Sequence, residues 1–131
     1  VTLDLEDVPD RFRPAVRAAL AAAGVREGHL GVETVPADRI RRLNRDHRRI
    51  DRPTDVLSFP VDETGPAAGP RELGDVVLCP AECADEQEAV VHGVLHLCGY
   101  DHETDHGEML ELQDRIVLEL GTEPAMTVTD E

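Results

Sequence analysis

The chain has no lysine and no tryptophan, and only Phe12, Phe59 and Tyr100 are aromatic. A core with so few rings has to be filled by Leu, Val, Ile and Ala, and stacking platforms for nucleic-acid bases are scarce. No apolar run approaches the roughly 20 residues of a bilayer-spanning helix. No secretory pattern opens the chain, so no membrane association is expected. Three cysteines, Cys79, Cys83 and Cys98, give an odd number and no disulfide framework, which fits a reducing cytoplasm. Cys79 and Cys83 read as small buried hydrophobes rather than a ligand pair.

What is present bounds the fold. At 131 residues the chain suits one domain with a core of its own. Its net charge is −15, yet residues 39–52 hold seven arginines against Asp46 and Asp51, a local +5 on a remainder of −20. A basic stripe on an acidic body can localise a polyanion at one face. An arginine-rich solvated helix making its own intrahelical pairs would look the same.

Val1, Leu3 and Leu5 alternate with polar residues and predict a strand. An Ala-rich helix follows over 10–23, ended by Gly24, with Pro14 tolerated near its first turn. A second strand is expected over 29–35. Pro36 then opens a helix to Arg48, with Ile40, Leu43 and His47 at helical spacing. Residues 54–59 read as extended, 62–73 as a Gly/Pro loop and 75–79 as an apolar strand. Pro80 is expected to open a single helix carrying His92 and His96. Asp105 or Thr104 should cap a last helix, with Met109, Leu112, Ile116 and Leu120 on one face and Gly121 as its end. The interleaving predicts an α+β single domain over 1–121, a small mixed sheet packed with helices, followed by a flexible acidic tail over 122–131.

The chemistry concentrates in His92-Gly-Val-Leu-His96-Leu-Cys-Gly99-Tyr-Asp-His102. His92 and His96 lie one helical turn apart on one face, about 6 Å at the base. Gly99 suits the left-handed residue that commonly ends a helix, and a chain reversal there can bring His102 back. Three neutral imidazoles leave a tetrahedral divalent ion one open position, as in catalytic zinc sites. Cys98 points about 200° away from His96 around the helix and is left out. Zinc peptidases place a glutamate general base directly after the first histidine. Here that position is Gly93, so peptide hydrolysis would need a borrowed carboxylate such as Glu108.

Three stretches together resemble the YbeY family of bacterial metal-dependent endoribonucleases. They are Leu43-Asn44 with Arg48 and Thr54-Asp55-Val56-Leu57-Ser58-Phe59-Pro60; Gly74-Asp75-Val76-Val77; and the histidine motif through His102. The segment between Cys79 and His92 is shorter than is usual in that family. The resemblance implies Zn2+ (or another divalent transition metal) held by His92, His96 and His102, with Arg48 and His92 as catalytic residues. Arg48 and Arg45 are the candidate phosphate contacts, Ser58 a further substrate donor, and Asp101 a residue that orients a ligand or caps the turn. The implied activity is single-strand-selective RNA cleavage in rRNA maturation, at the 3′ end of 16S rRNA, and in ribosome quality control. Its implied partners are rRNA precursors and the small ribosomal subunit or assembly factors, in the cytoplasm. The alternatives are a ribosome-assembly binding factor with a structural metal, its fourth position closed by Cys79, Cys83 or an acidic residue, and a metallopeptidase-like hydrolase.

Overall fold

In a computed structural model the described residues are 3–61 and 72–128, with side chains described through residue 120. Four strands, β1 (Leu3–Asp4), β2 (Gly28–Thr34), β3 (Val56–Pro60) and β4 (Glu72–Leu78), form one mixed sheet in the order β1-β2-β4-β3. The first three in space are parallel, and β3 runs antiparallel to β4 along the outer edge. Four helices accompany them: α1 (Arg13–Ala22), α2 (Ala37–Arg48), α3 (Glu86–Leu97) and α4 (Glu108–Val128). This is the expected α+β domain.

Side-chain alternation along the strands splits the core in two. Val76 and Leu78 of β4 pack with Leu30 and Val32 of β2 against α1, α3 and α4, around Phe12, Leu20, Val90, Leu95 and Met109. Val77 and Cys79 point the other way and, with Leu57 and Val35, bury Ile40 of α2. The sheet is thus covered on both faces, which its parallel part requires. Among the described residues no helix is long and apolar enough to cross a membrane.

Four expectations need correction. The first helix opens with a 3-10 turn, Asp10–Phe12, before α1. Strand β4 starts at Glu72, ahead of the expected Asp75, because Glu72 pairs with His29 of β2 and Gly74 with Leu30 of β2 and Pro60 of β3; the rest of the Gly/Pro loop, 62–71, lies outside the described residues. Pro80 opens only a 3-10 turn, Pro80–Glu82, and the chain becomes extended again at Cys83. Helix α3 has its own start, where Asp85 Oδ1 accepts the Glu88 N–H at 3.1 Å. Gly121 does not end α4, which runs to Val128; one internal glycine costs only about 1 kcal/mol. Residues 129–131 of the expected tail lie outside the described residues.

His29 ties three strands together at the sheet's lower end. Its Nε2 lies 2.7 Å from Asp7 Oδ2, just beyond β1, and its Nδ1 2.8 Å from Glu72 Oε1 at the start of β4. Only the imidazolium donates from both nitrogens. Hydrogen bonds to Asp7 and then Glu72 raise its pKa above the ordinary 6.5, against a smaller opposing effect of burial. A raised folded-state pKa gives stability that is fully present below about 6.5 and is lost as pH climbs through the folded value. His29→Gln should therefore destabilise the fold at pH 5.5–6.5 by about 1 kcal/mol or less, since both carboxylates are partly solvated, and lower the melting temperature there. The gap to the parent chain should close towards pH 9; a gap constant across that range in thermal unfolding would refute the assignment.

Candidate metal centre

Helix α3 lies against the sheet almost wholly buried, with Val90, Val91, Val94 and Leu95 inaccessible. His92 and His96 occupy its one half-exposed stripe. Gly99, at φ +101°, stops the helix as expected, and the chain turns so that the Tyr100 N–H reaches the Leu95 carbonyl at 3.1 Å. That turn returns His102 to the stripe. One nitrogen from each of His92, His96 and His102 falls within 4.8 Å of the others.

The hydrogen bonds around the rings set which nitrogen faces inward. His92 Nδ1–H donates to Gln113 Oε1 of α4 at 2.7 Å, and His96 Nδ1–H donates to the Tyr100 carbonyl at 3.0 Å. With both Nδ1 atoms protonated, the neutral rings present Nε2 lone pairs, and these lie 3.2 Å apart. Burial and then the neighbouring His92 push the His96 pKa below its ordinary value, which keeps the ring in the neutral form that binds cations. Two lone pairs aimed at one point repel unless a cation lies between them. Zinc–nitrogen bonds of 2.0–2.1 Å in tetrahedral geometry would set donors about 3.3–3.4 Å apart. The residues fit a metal ion.

The centre opens into a cleft of about 300 Å³ walled by β3, the end of α2 and the turn after α3. Arg48, the last residue of α2, lines it and makes no ion pair among the described residues. Its position is held from both sides. Arg49 follows in the left-handed conformation, φ 62°, a cost of order 1–3 kcal/mol for a non-glycine residue. Buried Asn44 donates from Nδ2 to the Arg52 carbonyl at 2.9 Å, folding the chain back beneath the helix end. Arg45, by contrast, binds its neighbour Asp46 at 3.2 Å and is not part of the cleft wall.

Ser58 is in the wall, but its hydroxyl donates to the Gly93 carbonyl at 2.8 Å and ties β3 to α3. Asp101 also lines the cleft, and its Oδ1 accepts the Glu103 N–H at 3.0 Å, the turn-capping geometry. The cysteines stay outside the cage. Cys79 is buried in the α2-side core, and Cys83 donates its S–H to the Cys79 carbonyl at 3.2 Å, its pKa pushed up to about 11, chiefly by burial. Glu108 is exposed, accepts the His106 N–H at 2.8 Å and supplies no borrowed base. At Gly93 the helix lies close against the sheet: a Cβ there would stand 2.8 Å from Val76 Cγ1 and 3.1 Å from Val56 Cγ2. The peptidase glutamate is therefore both absent and sterically excluded.

Two residues of the site escaped the sequence reading. Gln113 orients His92 while almost fully buried; a polar residue four positions after Met109, within an apolar helical stripe, was the available signal. His47 reads as a core position on α2 but lines the cleft, its ring centred 4.5 Å from that of Phe59.

Fold and site together define an α+β domain with a three-histidine group, able to hold a metal, at the floor of an open cleft. Comparison with known proteins gives the family. The sequence model described as Endoribonuclease YbeY matches residues 2–121, and the chain belongs to the YbeY family of RNA-cleaving hydrolases. It is 44% identical over 126 residues to Endoribonuclease YbeY of Alkalilimnicola ehrlichii, covering 84% of this chain and 76% of that one. Against the Brevibacillus brevis protein of the same name it is 36% identical over 134 residues, covering 81% and 84%. The solution structure of TM1509 from Thermotoga maritima superposes with a TM-score of 0.53 at 29% identity, covering 89% of this chain and 85% of that one.

Two substitutions probe this architecture. Gln113→Ala removes the acceptor that orients His92 and should weaken zinc binding by about 10–100-fold, read by competition with a chromogenic chelator. Gly93→Ala would gain up to about 1 kcal/mol from helix propensity alone. The contact with stiff, β-branched Val76 should outweigh this by about 1–3 kcal/mol of overpacking, so thermal unfolding should show a lower melting temperature. A rise would mean that α3 sits further from the sheet.

Proposed function

We propose that the chain is a zinc-dependent endoribonuclease selective for single-stranded RNA, acting in the cytoplasm on rRNA precursors, including the 3′ end of 16S rRNA, and in ribosome quality control. The observation that carries the reading is the pair of Nε2 atoms of His92 and His96, facing each other at 3.2 Å with both Nδ1 atoms committed outward. Family membership supports RNA as the substrate.

A divalent ion held by His92, His96 and His102 would supply acidified water and a polarised phosphoryl oxygen. The rest falls to the chain's own groups. Arg48, in the cleft and without an ion pair among the described residues, pairs with the scissile phosphate through its planar fork and offsets the charge that develops on it. Gln113 and the Tyr100 carbonyl hold two of the ligand rings in one tautomer throughout. A cleft of about 300 Å³ bounded on one side by a sheet edge suits an unpaired strand better than a duplex. With so few aromatic side chains, base selectivity is weak, and a partner at the small ribosomal subunit supplies the choice of site. The openness of the cleft favours this enzyme over an assembly factor with a closed structural metal. The packing of Gly93 and the outward turn of Glu108 disfavour a peptidase.

The test is cleavage of labelled single-stranded RNA and of an unstructured peptide, each with and without chelator. RNA cleavage should be lost with chelator and the peptide should survive throughout. His96→Ala should lose bound metal and RNA cleavage together. Arg48→Glu should retain one metal per chain while the cleavage rate falls by at least about 10²–10³-fold. Normal cleavage by the Arg48 variant would remove the phosphate role given to it.

A further inference from the structure

Among the described residues the outer edge of β3 is unpaired; it carries no charged side chain and borders the histidine cleft. Strand β3 pairs only with β4 among the described residues. Its register fixes which backbone groups are spent. Asp55 C=O accepts the Cys79 N–H at 2.8 Å, and Val61 N–H donates to the Leu73 carbonyl at 3.3 Å. Backbone direction alternates along an antiparallel strand, so residues 55, 57, 59 and 61 face β4. Val56, Ser58 and Pro60 therefore turn their backbone groups outward, and all three line the cleft with His92, His96, His102 and Arg48. Edges are normally blunted by charge, a bulge or a covering segment. From Val56 to Pro60 there is no charged side chain, and Pro60 alone lacks an N–H.

We propose that this edge is a sugar–phosphate ledge. Val56 and Ser58 donate their outward N–H groups to phosphate oxygens, and their carbonyls accept ribose 2′-hydroxyls. The proposal rests on the endoribonuclease reading and adds to it the means by which ribose is told from deoxyribose. The two residues repeat every 6.4–6.8 Å or so along a strand, a scale suited to one nucleotide step of an extended chain. An RNA backbone offers acceptors on its phosphates and donors on its 2′-hydroxyls in the same alternation, whereas DNA lacks the donors. An extended peptide could also line this edge. RNA is favoured because Arg48, with no ion pair among the described residues, stands beside the ledge, because Pro60 interrupts the donor series a peptide would use, and because packing excludes the peptidase glutamate at Gly93.

Ser58→Pro deletes one outward N–H and leaves the ladder to β4 intact, a substitution that edge strands tolerate. Ser58→Ala controls for the lost hydroxyl bond to Gly93. With zinc-loaded chain and a labelled single-stranded RNA, the proline variant should show a KM about 3–10-fold above that of the alanine variant, the share of one hydrogen bond. Equal values would overturn the ledge. A second measurement uses the unaltered chain and is independent of how the variant folds. Single 2′-deoxy substitutions scanned along the RNA should raise KM by a similar factor at one or two nucleotides beside the cleaved bond and nowhere else. A flat scan would overturn the 2′-hydroxyl contacts, as would displacement of RNA by an extended neutral peptide. Cleavage of RNA with a flat scan would sink the ledge alone; absence of any RNA cleavage by zinc-loaded parent chain would sink the endoribonuclease reading with it.

Discussion

The closeness of α3 to β3 and β4 sets everything else at the site. At Gly93 there is no room for a methyl group between the helix and Val76. At the same residue the Ser58 hydroxyl reaches across to the helix carbonyl. These two contacts fix the distance from the sheet edge to the histidine stripe and determine which way the stripe faces. A helix pushed outward by one side chain would carry His92 and His96 away from Arg48, which is anchored through α2 on the opposite face of the sheet. The histidine stripe and Arg48 thus belong to elements packed in two separate cores, held in register by the strands between them.

Within that frame the imidazoles are aimed by their outer nitrogens. Gln113 comes from α4 and the Tyr100 carbonyl from the turn after α3, so two elements orient two rings. The left-handed Gly99 makes the second contact possible, since the same reversal presents the Tyr100 carbonyl to His96 and brings back His102. Burial, which would disfavour an imidazolium, favours the neutral ligand form at His96. Packing and cation binding therefore ask for the same protonation state.

The clustering of the three histidines was legible in the sequence because it is local: spacing of four on a helix, then a glycine stop, places them within eleven residues. The strands and α2 were legible for a similar reason, as each alternation or period is short. Part of what failed was non-local. Gln113 acts on a ring 21 positions earlier, and only tertiary packing of α4 on α3 joins them. The early start of β4 follows from pairing on both its sides, which overrides the turn character of the preceding Gly/Pro segment. Pro80 looked like a helix start, and a proline suits the first turn of a 3-10 segment as readily as that of an α-helix. Asp85 was the stronger N-terminal signal.

Charge ties the stripe on α2 to the cleft, though with fewer free arginines than the sequence suggests. Arg41 is bound to Asp51 at 2.8 Å and Arg45 to Asp46, so part of the stripe is the self-paired helix surface that composition alone could equally describe. Arg48 is the member that the left-handed Arg49 and buried Asn44 hold at the cleft. A polyanion approaching a body of net charge −15 is repelled over most of the surface and drawn to the basic segment. Since that segment ends at the cleft, attraction and orientation would coincide on the proposed reading, with Arg48 at the cleft mouth and the three-histidine group at its floor. On the proposed reading the acidic surplus elsewhere selects the approach, limiting non-specific adhesion of RNA to faces away from the histidine group.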